Sequence, residues 1–397
     1  TYTGTTTISS GGAIQLGSAG TTGSLATSSI IDNGTLYISH TDAVTISTVI
    51  SGTGTVTATS SGTVTLSANN TLSGTMQAAS SATLIITGSN DNLANFNAIS
   101  STSNAKIGNG GTTGSIGNAA MSLNSLGTIT FNRSDTMTLS GVISGSGTLV
   151  QAGTGTTILT GNNTNTGVLT ISAGTLQMGN GSTTGLLGTS NITNNSNLVI
   201  NRSDTVTLSR VMSGTGNLIQ SGTGTTILTA ANTYTGTTTV SAGTLQVGSG
   251  STVGVLGTGA VTVNGTLAFN RSNALTVANA ISGAGAINNI GAGTVSLSGN
   301  ISGFTGSALV SAGSLRLAST NALPTLNTLT VNGGTFNLNV YNTTAGSLSG
   351  TGGTVAMSTG ALTFGSLGTD TSYAGVISGS GLMTKVGSGT TTLTGTN

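Results

Sequence analysis

Short segments of β-branched and other apolar residues recur along the chain, each bracketed by glycine. Thr156–Thr160 and Thr225–Thr229 both read TTILT. Such short β-branched runs between glycines are typical of short β-strands. Helix formers such as Glu, Lys, Arg and Gln are scarce beside Gly, Thr, Ser and Asn. The pattern therefore predicts an all-β chain of short strands and tight turns.

The apolar positions also keep fixed distances from one another. An interval of 16 residues separates an Ile or Met from a following Leu in five places. These pairs are Ile50 and Leu66, Ile143 and Leu159, Met212 and Leu228, Ile281 and Leu297, and Ile377 and Leu393. An Asn usually follows this Leu by four residues and lies in a predicted turn. Such fixed offsets indicate a structural repeat.

A longer repeat contains these offsets. FNRSDTMTLSGVISGSG, INRSDTVTLSRVMSGTG and FNRSNALTVANAISGAG begin at Phe131, Ile200 and Phe269, so each copy starts 69 residues after the previous one. Division by three gives about 23 residues, a period typical of solenoids. We expect an elongated rod, a right-handed parallel β-helix of roughly 17 rungs and on the order of 80 Å in length.

We expect one continuous repeat array over residues 1–397. The clearest repeats occupy 37–317, whereas 318–370 match poorly, and one copy of the motif is divided between 382–397 and 1–16. Two explanations fit the divided copy. Either the chain is one stretch of a longer polypeptide, or separate chains stack end to end and complete each other's motif.

Composition narrows the classes of function. Only 3% of the residues are charged and the formal net charge is +1, so there is no basic footprint for nucleic acid. Cysteine is absent, which excludes disulfides and thiolate metal sites. No apolar run approaches the roughly 18 residues of a membrane span, and no leader stands at the start, so if the protein is exported we expect this chain to be a mature or excised portion.

The segment 382–395, continued into residues 2–9, resembles the passenger-associated repeat of bacterial autotransporter proteins, as do 153–178 and 222–247. In this chain the Lys of that motif is kept only at Lys385, while Gln151 and Gln220 stand near the equivalent place. The resemblance implies an extracellular β-helical passenger exported across the outer membrane. It says little about a specific activity.

Rare charged residues are the first candidates for chemistry. Arg133 with Asp135 and Arg202 with Asp204 are two residues apart, so each pair should share a strand face and neutralise itself in solvent. The alternative is a ligand-binding stripe, which Asn273 beside Arg271 weakens. His40 aligns with the arginine position and precedes Asp42 by two residues, but no nucleophile recurs with it.

Other singled-out residues are expected to be structural. Asp32 begins an Asn-Gly turn without the acidic spacing of a calcium loop. Tyr2 and Tyr234 hold equivalent positions and should stack in the wall, with carbohydrate contact as the alternative. The asparagines after the repeated leucines should form turn ladders, and they are Asn70, Asn163, Asn232 and Asn397.

These observations favour an extracellular structural or adhesive rod of the bacterial cell surface, possessing no catalytic, cofactor or metal residues. The expected partners are further chain or another copy stacked end to end, and a host or cell-surface ligand. The alternative is a polysaccharide-processing enzyme or a carbohydrate-binding β-helix. Six Asp and no Glu leave few residues from which paired catalytic acids could be built. A third idea, an ice-binding face, depends only on frequent Thr-x-Thr, which is also common in strands.

Overall fold

The computed structural model describes residues 2–100, 102–320, 322–323 and 325–397. Every regular element among these residues is a β-strand, and each strand pairs in parallel with a strand one turn earlier or later along the chain. The fold is therefore a parallel β-solenoid, as predicted, and it makes about 19 turns. The expected number of rungs was too low, because turns such as those from Thr63 to Thr83 and from Thr225 to Thr244 are shorter than one third of the long repeat.

The chain forms two compact units, Thr1–Val199 and Ile200–Asn397. The strands of the first unit are β1 (Thr6–Ile8), β2 (Ala13–Gly20), β3 (Ile30–Asp32), β4 (Thr35–His40), β5 (Ala43–Ile46), β6 (Ile50–Ser51), β7 (Thr55–Thr59), β8 (Thr63–Leu66), β9 (Thr75–Ala78), β10 (Thr83–Ile86), β11 (Asn95–Ala98), β12 (Asn104–Ile107), β13 (Ala120–Leu123), β14 (Thr128–Phe131), β15 (Thr136–Leu139), β16 (Ile143–Gly145), β17 (Thr148–Gln151), β18 (Thr156–Leu159), β19 (Leu169–Ile171), β20 (Thr175–Met178) and β21 (Ile192–Asn194). Strand β22 (Asn197–Ile200) includes the residues at which the two units adjoin in sequence.

The strands of the second unit are β23 (Thr205–Leu208), β24 (Met212–Ser213), β25 (Asn217–Gln220), β26 (Thr225–Leu228), β27 (Thr238–Val240), β28 (Thr244–Ser251), β29 (Val261–Val263), β30 (Thr266–Arg271), β31 (Leu275–Val277), β32 (Ile281–Gly283), β33 (Ala286–Asn289), β34 (Thr294–Leu297), β35 (Gly303–Phe304), β36 (Ser307–Val310), β37 (Ser314–Leu317), β38 (Thr325–Leu326), β39 (Leu329–Val331), β40 (Thr335–Asn337), β41 (Thr343–Ala345), β42 (Leu348–Ser349), β43 (Thr354–Ser358), β44 (Leu362–Phe364), β45 (Thr371–Tyr373), β46 (Val376–Gly379), β47 (Met383–Lys385) and β48 (Thr391–Leu393).

Within each unit, strands from successive turns stack into long sheets. In the first unit, β2, β4, β7, β9, β11, β13 and β16 form one such sheet. In the second unit, β23, β26, β28, β30, β33, β36, β39 and β42 form another, and β31, β34, β37, β40, β43 and β46 form a third. Parallel pairing in register aligns like residues, as where Thr225, Thr244 and Thr266 lie side by side.

The long repeat does not equal three turns. In the second unit, three turns lead from Thr225 through Thr244 and Thr266 to Ala286, which is eight positions short of Thr294. Thr294 is the residue one full repeat after Thr225, and it starts β34 in a different sheet. The expectation that copies stack three rungs apart was therefore wrong. From one copy of the long repeat to the next, the chain makes three full turns and then continues to the adjacent sheet.

The interior holds the predicted apolar side chains together with an unexpected polar set. Large rings such as Phe96 and Phe269 are fully buried. In the repeated TTIL strand, however, the inward positions are Thr226 and Leu228, at 1% and 0% exposure. The Thr226 hydroxyl donates to Oε1 of the buried Gln220 at 2.6 Å, which satisfies both groups away from water.

Candidate functional site

Four short loops with nearly the same sequence interrupt the sheets, and the first residues of the first and fourth still belong to β2 and β28, where the strand pairing shifts register. They read GSAGTTG, GNGGTTG, GNGSTTG and GSGSTVG, and we name them loop 1 (residues 17–23), loop 2 (108–114), loop 3 (179–185) and loop 4 (248–254). In loops 2 to 4 the first and last glycines are buried, whereas most of the residues between them are exposed. Each loop is thus a small projection held at two points.

Glycine is required at these two points. In loop 2, Gly114 has a φ of +102°, and a Cβ there would lie 2.3 Å from the carbonyl oxygen of Ile86. In loop 4, Gly248 has a φ of +84°, and a Cβ would lie 2.4 Å from the Asn270 oxygen. Both the left-handed backbone and the close approach exclude a side chain. The loop therefore leaves and re-enters the solenoid wall at fixed places.

A glutamine supports the start of three loops. Gln15, Gln177 and Gln246 each donate from Nε2 to the carbonyl of the glycine two residues later, at 2.8, 2.8 and 2.7 Å. In loop 2 the equivalent residue is Lys106. Each bond gives the glycine carbonyl a hydrogen-bond partner at the point where the loop begins.

A basic residue one turn later holds the other end of loop 2. Arg133 donates from Nη1 to the carbonyl oxygen of Gly114 and forms a two-point ion pair with Asp135. The Arg133 side chain is only 14% exposed. Hydrogen bonds from the Arg133 guanidinium hold the pKa of Asp135 below its ordinary value, because they stabilise the charged carboxylate.

Arg271 holds loop 4 in the same way but without an acidic partner. Its Nη1 donates to Gly254 O and its Nη2 to Thr252 O, both at 2.5 Å. Its Nε and Nη2 also donate to Oδ1 of Asn273, at 3.0 and 2.8 Å. Arg271 is 7% exposed. A buried cation is thus stabilised here by neutral oxygens alone.

Loop 1 is held by a histidine. His40 is 4% exposed, its Nε2 lies 2.8 Å from the carbonyl oxygen of Gly23, and its Nδ1 lies 3.0 Å from Oδ1 of Asp42. The alignment of His40 with the arginine positions was thus correct in spatial terms. The pair contacts loop backbone, and the two ring nitrogens face the Gly23 carbonyl and the Asp42 carboxylate.

Arg202 forms the same two-point pair with Asp204, at 2.9 and 2.7 Å, and the pKa of Asp204 is lowered by hydrogen bonds from Arg202. The predicted pairing of these arginines with the acids two residues later is confirmed. Their predicted place on a solvated surface was wrong, since Arg202 is 5% exposed. The guanidinium is turned inward, and only the carboxylate is partly in solvent.

A polar hollow of about 280 Å³ opens beside loop 2. At its centre, Asp91 accepts hydrogen bonds from the hydroxyls of Ser89, at 2.6 Å, and Ser115. Asn69 and Thr113 also line it. The hydroxyl of Ser115 and then that of Ser89 lower the pKa of Asp91, so the carboxylate stays charged. The bridge Ser89–Ser115 has counterparts at Asn162–Leu186 and Ala231–Val255, which lack this chemistry.

The predicted aromatic and asparagine positions are structural in different ways. Tyr234 is 1% exposed and its hydroxyl lies 2.7 Å from that of Thr238, whereas Tyr2 is 56% exposed.

The expected asparagine ladder occurs where Asn70 Nδ2 donates to Asn90 Oδ1 at 2.9 Å. More often an asparagine accepts from a backbone N–H one turn earlier, as Asn232 does from Met212 at 2.9 Å.

Asp32 lies at the end of β3, with the predicted Asn-Gly bend after it. Its carboxyl is fully buried, one oxygen accepts from the Gly34 N–H at 3.0 Å, and the other has no partner. Burial raises the pKa of Asp32. At the end of β21 an asparagine, Asn194, accepts from the N–H of Ser196 two residues later in the same manner.

Sequence reasoning missed the loops themselves. The sequence did contain a signal for them. In each loop two glycines stand six residues apart, and a Thr stands two residues before the second glycine. A basic residue follows about one turn later, and these residues are His40, Arg133, Arg202 and Arg271. Among the described residues, no three His, Asp or Glu side chains group closely enough to hold a metal ion. No helix in the described part is long and apolar enough to cross a membrane.

Comparison with known proteins agrees with the repeat. The family model described as passenger-associated-transport-repeat matches residues 56–80, 149–178, 218–247, 290–317 and 383–397. Over 83 residues the chain is 43% identical to the adhesin BmaC autotransporter of Brucella suis biovar 1 (strain 1330). These 83 residues amount to 20% of this chain and 2% of that protein. No solved structure matches. The second and third of these matched segments end immediately before loops 3 and 4.

Proposed function

Because the chain is a β-solenoid that carries passenger-associated transport repeats and is distantly homologous to an autotransporter adhesin, we propose that it acts outside the bacterial cell as a structural and adhesive element. Autotransporter passenger domains are secreted to the cell surface or beyond it. The solenoid provides a scaffold, and the loops provide contact surface for a host or cell-surface ligand.

The repeated loops are the observation that carries this proposal. Rigid scaffolds commonly place recognition on the loops that they position. Here loops 2 and 4 are anchored by buried glycines and by a buried basic residue, so their exposed residues are presented in a defined backbone shape. Repetition of one loop along a solenoid also favours multivalent binding, in which weak single contacts add.

The test compares bacteria that produce the whole protein with bacteria in which the segment for this chain is deleted. Protease added to intact cells should remove the segment from the producing strain. Adherence to host cells should fall several-fold in the deletion strain, with the remaining protein still at the surface. A protease-resistant cytoplasmic location, or unchanged adherence after deletion, would contradict the proposal.

Carbohydrate binding is a second candidate function, favoured by the hollow beside loop 2. A charged carboxylate and several hydroxyls, as at Asp91, Ser89 and Ser115, match the donors and acceptors of a neutral sugar. Titration of purified protein with neutral oligosaccharides would test it. Binding should be lost in Asp91→Asn and kept in Asp370→Asn, an exposed aspartate elsewhere. Equal affinity in the two variants would exclude the hollow.

The Asp91 carboxylate accepts hydrogen bonds from two hydroxyls, and Asp91 is the one carboxylate among the residues that line the hollow, so we propose no polysaccharide-cleaving activity. The predicted association with further chain or another copy stays a prediction. Sedimentation of the purified chain at several concentrations would test self-association: a rising sedimentation coefficient would support it, and a constant value for a single chain would not.

A further inference from the structure

We propose that His40 makes the attachment of loop 1 sensitive to pH, and that loops 2 and 4, held by Arg133 and Arg271, lack this sensitivity. The inference concerns the regulation of one loop and does not depend on which ligand the chain binds. It starts from the hydrogen bonds of the imidazole ring.

Both ring nitrogens of His40 face atoms that only accept hydrogen bonds. Nε2 lies 2.8 Å from the carbonyl oxygen of Gly23, and Nδ1 lies 3.0 Å from a carboxylate oxygen of Asp42. A neutral imidazole carries one N–H, whereas the imidazolium carries two. Both bonds therefore form only when His40 is protonated. The remaining N–H stays on Nδ1, because the charged Asp42 carboxylate is the stronger acceptor, so loss of the proton leaves the Nε2 lone pair facing the carbonyl oxygen of Gly23.

The equivalent residues within the same chain show what the fold requires at this position. Arg133 donates to Gly114 of loop 2 and to Asp135, and Arg271 donates to Gly254 of loop 4 and to Asn273. His40 reproduces this arrangement with its two nitrogens. Arginine keeps its charge across the biological pH range, whereas histidine changes charge between about pH 5 and 8.

The residues that line the cavity beside the His40 ring include no second cation. Asp42, whose side chain is 45% exposed, is the charged group in contact with the ring. The cavity beside the ring, of about 140 Å³, is lined by apolar or hydroxyl side chains from β2, β4, β5 and the segment after loop 1, including Leu16, Leu25 and Val44. His40 is the one ionisable residue among those lining it. Acid therefore tightens loop 1, and neutral to alkaline pH loosens it over an apolar cavity.

The chain has one histidine, so its ring can be observed without ambiguity. Ring ¹⁵N chemical shifts of histidine-labelled protein report the number of N–H groups at each pH. Hydrogen–deuterium exchange is then measured for peptides containing loop 1 and loop 2. The ratio of their exchange rates at each pH removes the intrinsic pH dependence of the reaction, which both peptides share.

We expect the rate ratio of loop 1 to loop 2 to rise about tenfold from pH 5 to pH 8, in step with loss of the imidazolium signal. In His40→Arg the ratio should stay low throughout, and in His40→Gln it should be high throughout. A ratio that does not change with pH in the parent protein would overturn the proposal, even if neither variant folded. A full pH response in His40→Arg would also overturn it.

Discussion

Arg133 and Asp135 form a two-point ion pair in which Nε lies 2.8 Å from Oδ1 and Nη2 lies 2.6 Å from Oδ2. The third nitrogen of the same guanidinium donates to the carbonyl of Gly114 at the end of loop 2. The planar fork of arginine suits this geometry, because the carboxylate fixes its orientation while the remaining donor reaches the loop. One side chain thus joins a projecting loop to the turn one rung later.

Replacing Arg133 should therefore cost more than replacing an exposed arginine. We expect Arg133→Gln to lower the free energy of unfolding by about 2 kcal/mol, because a largely buried carbonyl loses a charged donor. Arg316→Gln, at an exposed position of β37, should change it by less than about 0.5 kcal/mol. The chain lacks tryptophan, so denaturant unfolding is followed by circular dichroism. Equal effects of the two changes would contradict the role of Arg133 in holding loop 2.

The neutral partner of Arg271 suggests a stabilising substitution. Asn273→Asp should raise the free energy of unfolding by roughly 0.5–1 kcal/mol, because it gives Arg271 a carboxylate partner at the position that Asp135 holds beside Arg133. The gain should shrink at high salt. In an Arg271→Gln background the same change should give no gain. A gain that persists there would show that the ion pair is not its cause.

Buried Asp32 should make stability depend on pH. Burial raises the pKa of Asp32 above its unfolded value, so the folded state binds its proton more tightly. Its stabilising contribution is present below the unfolded pKa and is lost as pH rises through the folded pKa. Asp32→Asn should therefore raise stability at pH 7 by on the order of 1 kcal/mol. The gain should disappear near pH 3.

Exposed Asp370→Asn serves as the control for this measurement. It removes the same charge without removing a buried carboxyl. Thermal unfolding of the three proteins from pH 3 to 8 gives the comparison. A destabilised Asp32→Asn protein at pH 7 would mean that the carboxylate has a partner that the structure does not show.

The buried asparagines predict a further large effect. Asn232 accepts from the Met212 N–H and donates to the Val255 carbonyl at 2.8 Å. Asn232→Ala should lower the free energy of unfolding by about 2–3 kcal/mol, because a buried N–H is left without a partner. Exposed Asn92→Ala should have little effect. Similar losses in both variants would contradict the turn role of Asn232.

The sequence was sufficient for the parallel solenoid, because short β-branched segments and fixed offsets between apolar residues both reflect strands that stack from one turn to the next. It did not reveal the true turn length. The long repeat suggested three equal rungs, but only pairing partners such as Thr225 and Thr244 show that a turn here is shorter than one third of that repeat. The right-handed sense of the coil stays a prediction.

The candidate site was only partly foreseeable. Pairing of Arg133 with Asp135 follows from their spacing, but its burial depends on loop 2, whose residues lie one turn earlier. Likewise, His40 could be aligned with the arginines from sequence, whereas its bond to Gly23 required the backbone path of loop 1. Spacing identifies neighbours within a strand, and it does not identify what the next turn places above them.

The proposal that the loops provide adhesive contacts is tested most directly by adherence of bacteria displaying two matched variants. In one, the exposed loop threonines Thr21, Thr112, Thr183 and Thr252 are replaced by alanine. In the other, the exposed strand threonines Thr136, Thr138, Thr205 and Thr207 are replaced. At equal surface amounts, we expect the loop variant to adhere several-fold less than the parent and the strand variant to match the parent. Full adherence of the loop variant would contradict the account.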